Sequence, residues 1–161
     1  GGTVDLTRYP WFDRTEDFAV GVEHAESPLG WTAVTRPAEG DLYLSLRHPR
    51  RLPMTMLWQS NGGRDYPPWS GRHTGCLGVE EGAAEHMLGV SDPADLPGPG
   101  ALTLDPGGLT DVRHVTGAIA WPTGEPVADV VLDGEALTVR GESGARRSVP
   151  ICAGFLHLDQ P

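Results

Sequence analysis

The sequence has 161 residues with 22 acidic and 12 basic side chains, a net charge of −10 when the histidines are neutral. This balance argues against a nucleic-acid partner, because binding to phosphates depends on clustered Lys and Arg that displace counterions. It also disfavours an anionic membrane surface, and no apolar run approaches the roughly 20 residues that a transmembrane helix needs.

Glycine and proline occur throughout the chain. The 22 glycines and 15 prolines lie between short apolar segments without a repeat, which is typical of the turns of an all-β protein. At this length we expect one domain over residues 1–161, large enough to bury a core of its own.

The two cysteines and the N-terminus are the features that indicate a cellular compartment for the protein. Cys76 and Cys152 are far apart and have no C-x-x-C spacing or neighbouring histidine pair, so the sequence predicts neither a disulfide framework nor a zinc site. We expect both to be buried, reduced thiols. The N-terminus lacks the basic and apolar pattern of a signal peptide, which favours a cytoplasmic protein.

Alternation of apolar and polar residues predicts the first strands. Three segments have the period of two of half-buried strands, and their short links predict a three-stranded meander: residues 18–24, 31–36 and 41–47. The third has the clearest register, because Leu42, Leu44 and Leu46 lie on one face.

Two further strands are predicted on either side of a loop. Residues 54–60 form a β-rich run that ends at Asn61-Gly62-Gly63, where the glycines permit a tight turn. The loop that follows is stiffened by Pro67-Pro68, and a second strand is expected at about residues 75–80.

The rest of the chain also reads as strands and turns. Residues 81–100 are predicted to form a surface loop with a short helical run at about 83–88. Asp133-Gly134 predicts a hairpin, and strands are expected at residues 102–104, 109–120, 128–132, 136–140 and 148–158. Because the strands are short and the turns are too brief for parallel crossovers, the predicted fold is an all-β antiparallel β-sandwich.

The segment 54–85 concentrates ring, guanidinium and carboxylate groups, including Trp58, Trp69, Arg72 and Glu80. A sugar offers C–H faces that stack on aromatic rings and hydroxyls that need charged or amide partners. A sugar pocket is therefore the first functional hypothesis. The same residue types also occur in ordinary packed loops, so a structural role stays open.

The order of these residues carries more information. The segment contains, in sequence, Trp58, Gly62-Gly63, Pro68-Trp69, Gly71-Arg72 and Leu77-Gly78-Val79-Glu80. This order resembles that of the aldose 1-epimerase (galactose mutarotase-like) superfamily, and similar segments at residues 2–6, 16–18, 30–37 and 104–107 extend the resemblance over about residues 2–120. The resemblance implies a mutarotase-like β-sandwich, of which the chain would be the C-terminal portion.

The resemblance also implies a catalytic pair. Glu80 would take the proton of the sugar's C1 hydroxyl while a histidine protonates the ring oxygen, and such groups typically contribute 10² to 10⁴-fold each. The family takes that histidine from an N-terminal half with no counterpart here, so His73, near Glu80 in sequence, is the local candidate. The family's proline after the glutamate is Glu81 here. If the strand persists, Glu81 faces away from Glu80 and only one of them reaches the pocket.

The candidates for substrate binding are Glu81, which would take the place of Glu80 if the register were shifted by one residue, and four further residues. Arg72 would hold a sugar hydroxyl or an acidic group, or else balance the acidic surface. Trp58 and Trp69 would stack on the sugar, although Trp58 also suits a core position in its strand. Asp17 resembles the family's substrate-binding aspartate, or else it is a turn residue.

The expected partner is a monosaccharide or related carbohydrate, with a homodimer left open. No cofactor is implied, and none of the six histidines has a metal-ligand spacing. The leading hypothesis is therefore anomer interconversion with Glu80 as base. The alternatives are a non-catalytic carbohydrate-binding β-sandwich and an incomplete C-terminal fragment of an epimerase.

Overall fold

A computed structural model of the protein describes residues 3–24, 26–84 and 102–156. In these residues the chain forms nine strands in three antiparallel sheets, and its helical content is a single 3-10 turn, Ala153–Phe155. The strands are β1 (Glu16–Val22), β2 (Gly30–Arg36), β3 (Asp41–Arg47), β4 (Met54–Ser60), β5 (Cys76–Gly82), β6 (His114–Ala120), β7 (Val127–Asp133), β8 (Ala136–Gly141) and β9 (Arg146–Pro150). The predicted all-β, antiparallel fold class is confirmed.

The chain divides into two compact units, each made of two separate stretches. The first unit consists of Gly1–Glu23 and Met54–Leu102, and the second of His24–Pro53 and Thr103–Pro161. The single domain expected from the length of the chain stays a prediction.

The described residues of the first unit form one sheet with the strand order β1-β4-β5. The central strand β4 pairs with β1 on one side and β5 on the other, so that Phe18, Trp58 and Gly78 form one cross-strand row. Because side chains alternate along a strand, Glu16, Phe18, Trp58, Ser60 and Glu80 share one face of this sheet, called here the Trp58 face.

The second unit contains the other two sheets, with the orders β2-β3-β6 and β7-β8-β9. Their apolar faces pack together around one core, as in a β-sandwich. The predicted leucine face of β3 is confirmed, since its three leucines are nearly or fully buried. The core is made of Leu42, Leu44, Leu46, Trp121, Val130, Leu137, Val139 and Leu156.

The C-terminal half of the opposite face of β3 is buried as well, although it carries polar side chains. Ser45 and Arg47 are 0% and 1% exposed. The Arg47 guanidinium donates from Nε to the Leu52 carbonyl at 3.1 Å and from Nη1 to Thr32 Oγ1 at 3.1 Å. Gly30 lies directly opposite Arg47, where an added Cβ would lie 2.8 Å from Arg47 Cγ.

The predicted meander of the first three strands is wrong. β2 and β3 do form an antiparallel pair, but β1 pairs with β4, and the second neighbour of β3 is β6. Periodicity identifies a strand from local sequence, whereas its partner is decided by which apolar faces can be covered in three dimensions.

Three predicted strand ranges in the C-terminal part also need correction. Residues 102–104 form no strand, and β6 begins at His114 instead of position 109. Leu104 and Leu109 are 65% and 90% exposed, so these apolar side chains do not pack in a sheet. The last strand ends at Pro150, where the chain enters the 3-10 turn.

The remaining local predictions have mixed outcomes. The hairpin at Asp133-Gly134 is confirmed, since Asp133 pairs with Ala136 and Gly134 has a φ of 57°. Cys76 is half-buried and Cys152 is exposed, so the expectation of two buried thiols is wrong, although both are free. The loop predicted at 81–100 begins later, because β5 continues to Gly82. Most of that loop, and most of the helical run at 83–88, lies outside the described residues.

No helix in the described part of the chain has the length and apolar character to cross a membrane.

Candidate functional site

The candidate site lies in the first unit, on the Trp58 face. Phe18 of β1 and Trp58 of β4 are direct cross-strand neighbours, and their rings stack with centroids 5.8 Å apart and planes 9° from parallel. Such aromatic pairs stabilise neighbouring strands. Phe18 is still 46% exposed, so its ring offers an apolar surface next to Trp58.

Glu80 lies beside Trp58 because of a glycine. Gly78 is the cross-strand partner of Trp58, and a Cβ added there would lie 3.4 Å from Trp58 Cε3 and 3.5 Å from Glu80 Oε1. The carboxylate of Glu80 therefore folds back over Gly78 on the Trp58 face. With no side chain at position 78, the indole and this carboxylate both approach the Gly78 backbone closely.

Glu81 and Asp17 do not share this face. β5 persists to Gly82, and Glu81 pairs with Thr55, so its side chain is directed to the opposite side from Glu80. Asp17 is on that opposite side too, where its carboxylate accepts hydrogen bonds from Gln59 Nε2 at 3.1 Å and from Thr15 Oγ1.

The loop of residues 61–75 is held against the sheet by backbone contacts. Gly62 has a φ of 84° and donates its N–H to the His73 carbonyl at 2.8 Å. Gly63 packs against the start of β1, where a Cβ would lie 2.5 Å from both Thr15 C and Glu16 N. A side chain at position 63 would collide with backbone, so this approach requires glycine.

The loop brings Trp69 and His73 to Trp58. The His73 ring centroid lies 5.4 Å from that of Trp69 and 6.0 Å from that of Trp58, with the planes tilted by 50° and 42°. Two loop residues predicted from the sequence are thus near a predicted strand residue.

Arg64, which sequence reasoning missed, occupies the space between the two tryptophans. Its Cζ lies 4.5 Å from the Trp58 ring centroid and 4.9 Å from that of Trp69, within cation–π range. The predicted Arg72 is exposed and donates from Nη2 to the Pro68 carbonyl at 2.8 Å. The position of Arg64 directly after Gly62-Gly63 is the only local signal for its role.

Glu16 connects these groups and was also missed. Its Oε1 accepts the Ser60 hydroxyl at 2.8 Å, and its Oε2 accepts Trp58 Nε1–H at 2.8 Å and lies 3.5 Å from Arg64 Nε. Ser60 Oγ is in turn 2.5 Å from His73 Nδ1. Glu16 and Ser60 are cross-strand partners, so only the β1–β4 pairing could have identified the link.

Tyr9 contacts the backbone at the adjacent ends of β4 and β5. Its hydroxyl donates to the Cys76 carbonyl at 3.0 Å and more weakly to that of Ser60 at 3.4 Å. Burial, followed by the nearby Cys76 and Glu16, raises the pKa of Tyr9 above its usual value. The phenol therefore stays protonated over a wider pH range than in water.

The arrangement combines an exposed carboxylate, an imidazole and aromatic rings on one face. A carboxylate can take a proton and an imidazole can give or take one near neutral pH. Arg64 covers one face of each tryptophan, which leaves Phe18 as the more accessible stacking surface. In residues 3–24, 26–84 and 102–156, no group of three or more His, Cys, Asp or Glu side chains is placed to hold a metal ion.

Comparison of the chain with protein-family models, curated proteins and solved structures found no match. The resemblance to the aldose 1-epimerases therefore depends on the residues of this chain alone.

Proposed function

We propose that the protein binds a monosaccharide or related carbohydrate on the Trp58 face and interconverts its anomers in the manner of an aldose 1-epimerase. The observation that carries this proposal is that Glu80 and His73 both lie beside the indole of Trp58. A Cβ at position 78 would lie 3.4 Å from Trp58 Cε3 and 3.5 Å from Glu80 Oε1, and the His73 ring centroid is 6.0 Å from that of Trp58. A proton acceptor and a proton donor thus border one aromatic surface.

The reaction requires two proton transfers. The Glu80 carboxylate takes the proton of the C1 hydroxyl, and protonated His73 gives a proton to the ring oxygen as the bond between C1 and that oxygen breaks. The open chain then carries an aldehyde at C1 and a hydroxyl at the former ring oxygen. Rotation about C1–C2 presents the other face of the aldehyde, and closure returns one proton to His73 and the other from Glu80 to the sugar. No cofactor takes part.

The remaining groups support binding. The exposed ring of Phe18 suits the C–H face of a sugar, and the exposed Glu80 carboxylate can accept a hydrogen bond from a sugar hydroxyl. Arg64 is oriented by the two tryptophans and Glu16, so its guanidinium can donate to sugar hydroxyls with little further loss of freedom.

A non-catalytic carbohydrate-binding site is the second candidate function. It is favoured by the exposure of Phe18, because a stacking platform open to solvent needs no acid–base pair to hold a sugar. Both functions use the same face and differ only in whether protons are transferred.

Polarimetry on freshly dissolved α-glucose or α-galactose separates them. We expect mutarotation above the buffer rate, lost in Glu80→Gln and in His73→Asn. Glu81→Gln, which removes the same charge on the opposite face, is the matched control and should retain the rate. If the rate never exceeds that of buffer, the enzyme proposal is wrong.

Binding is measured separately through tryptophan fluorescence. The binding function alone would be supported by two results together. A sugar should perturb the emission of the intact protein but not that of Phe18→Ala or Gly78→Val, and no mutarotation should be seen. If no sugar changes the emission and none is interconverted, both proposals fail. The cytoplasmic location and the homodimer stay predictions.

A further inference from the structure

We infer that Glu16 and Ser60 are positioning residues, which hold the proton of neutral His73 on Nδ1 and so reserve Nε2 for exchange with the ligand. The catalytic meaning of this inference rests on the proposed function, whereas the placement of the proton does not. The observation behind it is the unbroken chain of hydrogen bonds from Glu16 through Ser60 to His73.

The direction of the chain follows from counting protons. Ser60 has one hydroxyl proton, which it donates to Glu16 Oε1 at 2.8 Å. The 2.5 Å contact between Ser60 Oγ and His73 Nδ1 then requires a proton on the nitrogen, because two lone pairs cannot form a hydrogen bond. Neutral His73 therefore carries its proton on Nδ1, and Nε2 carries the lone pair.

The reverse direction is disfavoured by Glu16. An ionised carboxylate can only accept, and a hydrogen bond to it is stronger than one to a neutral imidazole nitrogen. If Ser60 donated to His73 instead, Glu16 Oε1 would lose its proton donor. Ser60 is 1% exposed, so water is poorly placed to replace that donor.

The other groups around Glu16 strengthen its role as acceptor. Trp58 Nε1–H, which can only donate, is bonded to Glu16 Oε2 at 2.8 Å, and the always cationic Arg64 forms an ion pair with the same oxygen, its Nε 3.5 Å away. The same carboxylate therefore orients Trp58 and Arg64 directly and His73 through Ser60. One residue at the start of β1 aligns the aromatic, cationic and imidazole groups of the site.

The position of the ring leaves Nε2 available. Trp69 and Trp58 are tilted against the imidazole at 5.4 and 6.0 Å, which limits its rotation. Within the described residues, Nε2 of His73 makes no hydrogen bond. Protonation at Nε2 gives the imidazolium that the proposed reaction needs, and its loss restores the neutral form with Nδ1–H still bonded to Ser60.

Long-range ¹H–¹⁵N correlation spectra of the histidine side chains test the inference without a sugar. In the intact protein at a pH where His73 is neutral, we expect the Nδ1–H tautomer, assigned by its loss in His73→Asn. Ser60→Ala should convert His73 to the Nε2–H tautomer that is usual for free histidine. An Nε2–H tautomer in the unaltered protein overturns the inference, whether or not the variant folds.

Ser45→Ala is the matched control. Ser45 is another fully buried serine hydrogen-bonded to a histidine, with its Oγ 2.8 Å from His114 Nε2. This substitution should alter the signals of His114 and leave those of His73 unchanged. If His73 keeps Nδ1–H in Ser60→Ala, the Ser60 contact does not determine the tautomer and the inference is wrong.

The two proposals fail independently. An Nδ1–H tautomer without mutarotation refutes the proposed enzyme and leaves the positioning role intact. Mutarotation together with an Nε2–H tautomer refutes the positioning role and leaves the proposed enzyme intact. If both proposals hold, Ser60→Ala should lower kcat by up to about 100-fold, which is the smallest contribution that a general acid typically makes. The KM should stay near that of the unaltered protein.

Discussion

Gly63→Ala should destabilise the first unit more than most single substitutions. The Cβ of alanine would lie 2.5 Å from Thr15 C, 2.5 Å from Glu16 N and 2.8 Å from Thr15 Cα. All three are backbone atoms, so no side-chain rotation relieves the overlap. The loop and β1 would have to separate by about 1 Å to reach normal carbon–carbon contact.

The cost can be worked out from the contacts that such a shift disturbs. Overpacking typically costs about 1–3 kcal/mol. The shift also strains the hydrogen bond from Asn61 N–H to the Thr15 carbonyl, which is 3.0 Å long, and a lost hydrogen bond adds about 1 kcal/mol. We therefore expect the free energy of unfolding to fall by about 2–4 kcal/mol.

Urea denaturation followed by tryptophan fluorescence measures this loss. Gly82→Ala is the control, because within the described residues no heavy atom lies within 4 Å of a Cβ at position 82. The control should unfold at or slightly above the urea midpoint of the unaltered protein. A change in Gly63→Ala of less than about 0.5 kcal/mol would refute the close approach of the loop to β1.

Three other predictions concern different parts of the chain. Gly30→Ala should lower the free energy of unfolding by about 1–3 kcal/mol, measured by urea denaturation, since its Cβ would press on the buried Arg47. Because the pKa of Tyr9 is raised in the folded state, stability should fall as the pH rises above about 10, and urea midpoints should fall less in Tyr9→Phe. A thiol reagent should modify exposed Cys152 quickly and half-buried Cys76 slowly, with the fast phase absent in Cys152→Ser.

Local patterns predicted the strands well but not their partners. The bounds of β3 and β4 match the ranges expected from alternation, and the β7–β8 hairpin follows from its turn residues. The pairing of β1 with β4 could not be predicted in this way, because residues 23–53 separate the two strands. Periodicity reports which side of a strand is apolar, and it contains no information about a neighbour so distant in sequence.

The candidate site likewise contains residues that local sequence could identify and one residue, Glu16, whose role depends on strand pairing. Trp58, Trp69, His73 and Glu80 lie within one short segment, so their residue types and order were visible in the sequence. The role of Glu16 depends on the register that aligns it with Ser60, and a shift of one residue would place Asp17 there instead. The resemblance pointed to Asp17, whereas the register directs that side chain to the opposite face.

The division of each unit into two stretches has a consequence for the order of folding. β4 and β5 are joined by the 61–75 loop, whereas β1 reaches β4 only after the chain has passed through residues 24–53 of the second unit. Closing the longer loop costs more entropy before any contact compensates for it. We therefore expect the β4–β5 hairpin to form first and β1 to join late, so that the Glu16 contacts assemble last and open first.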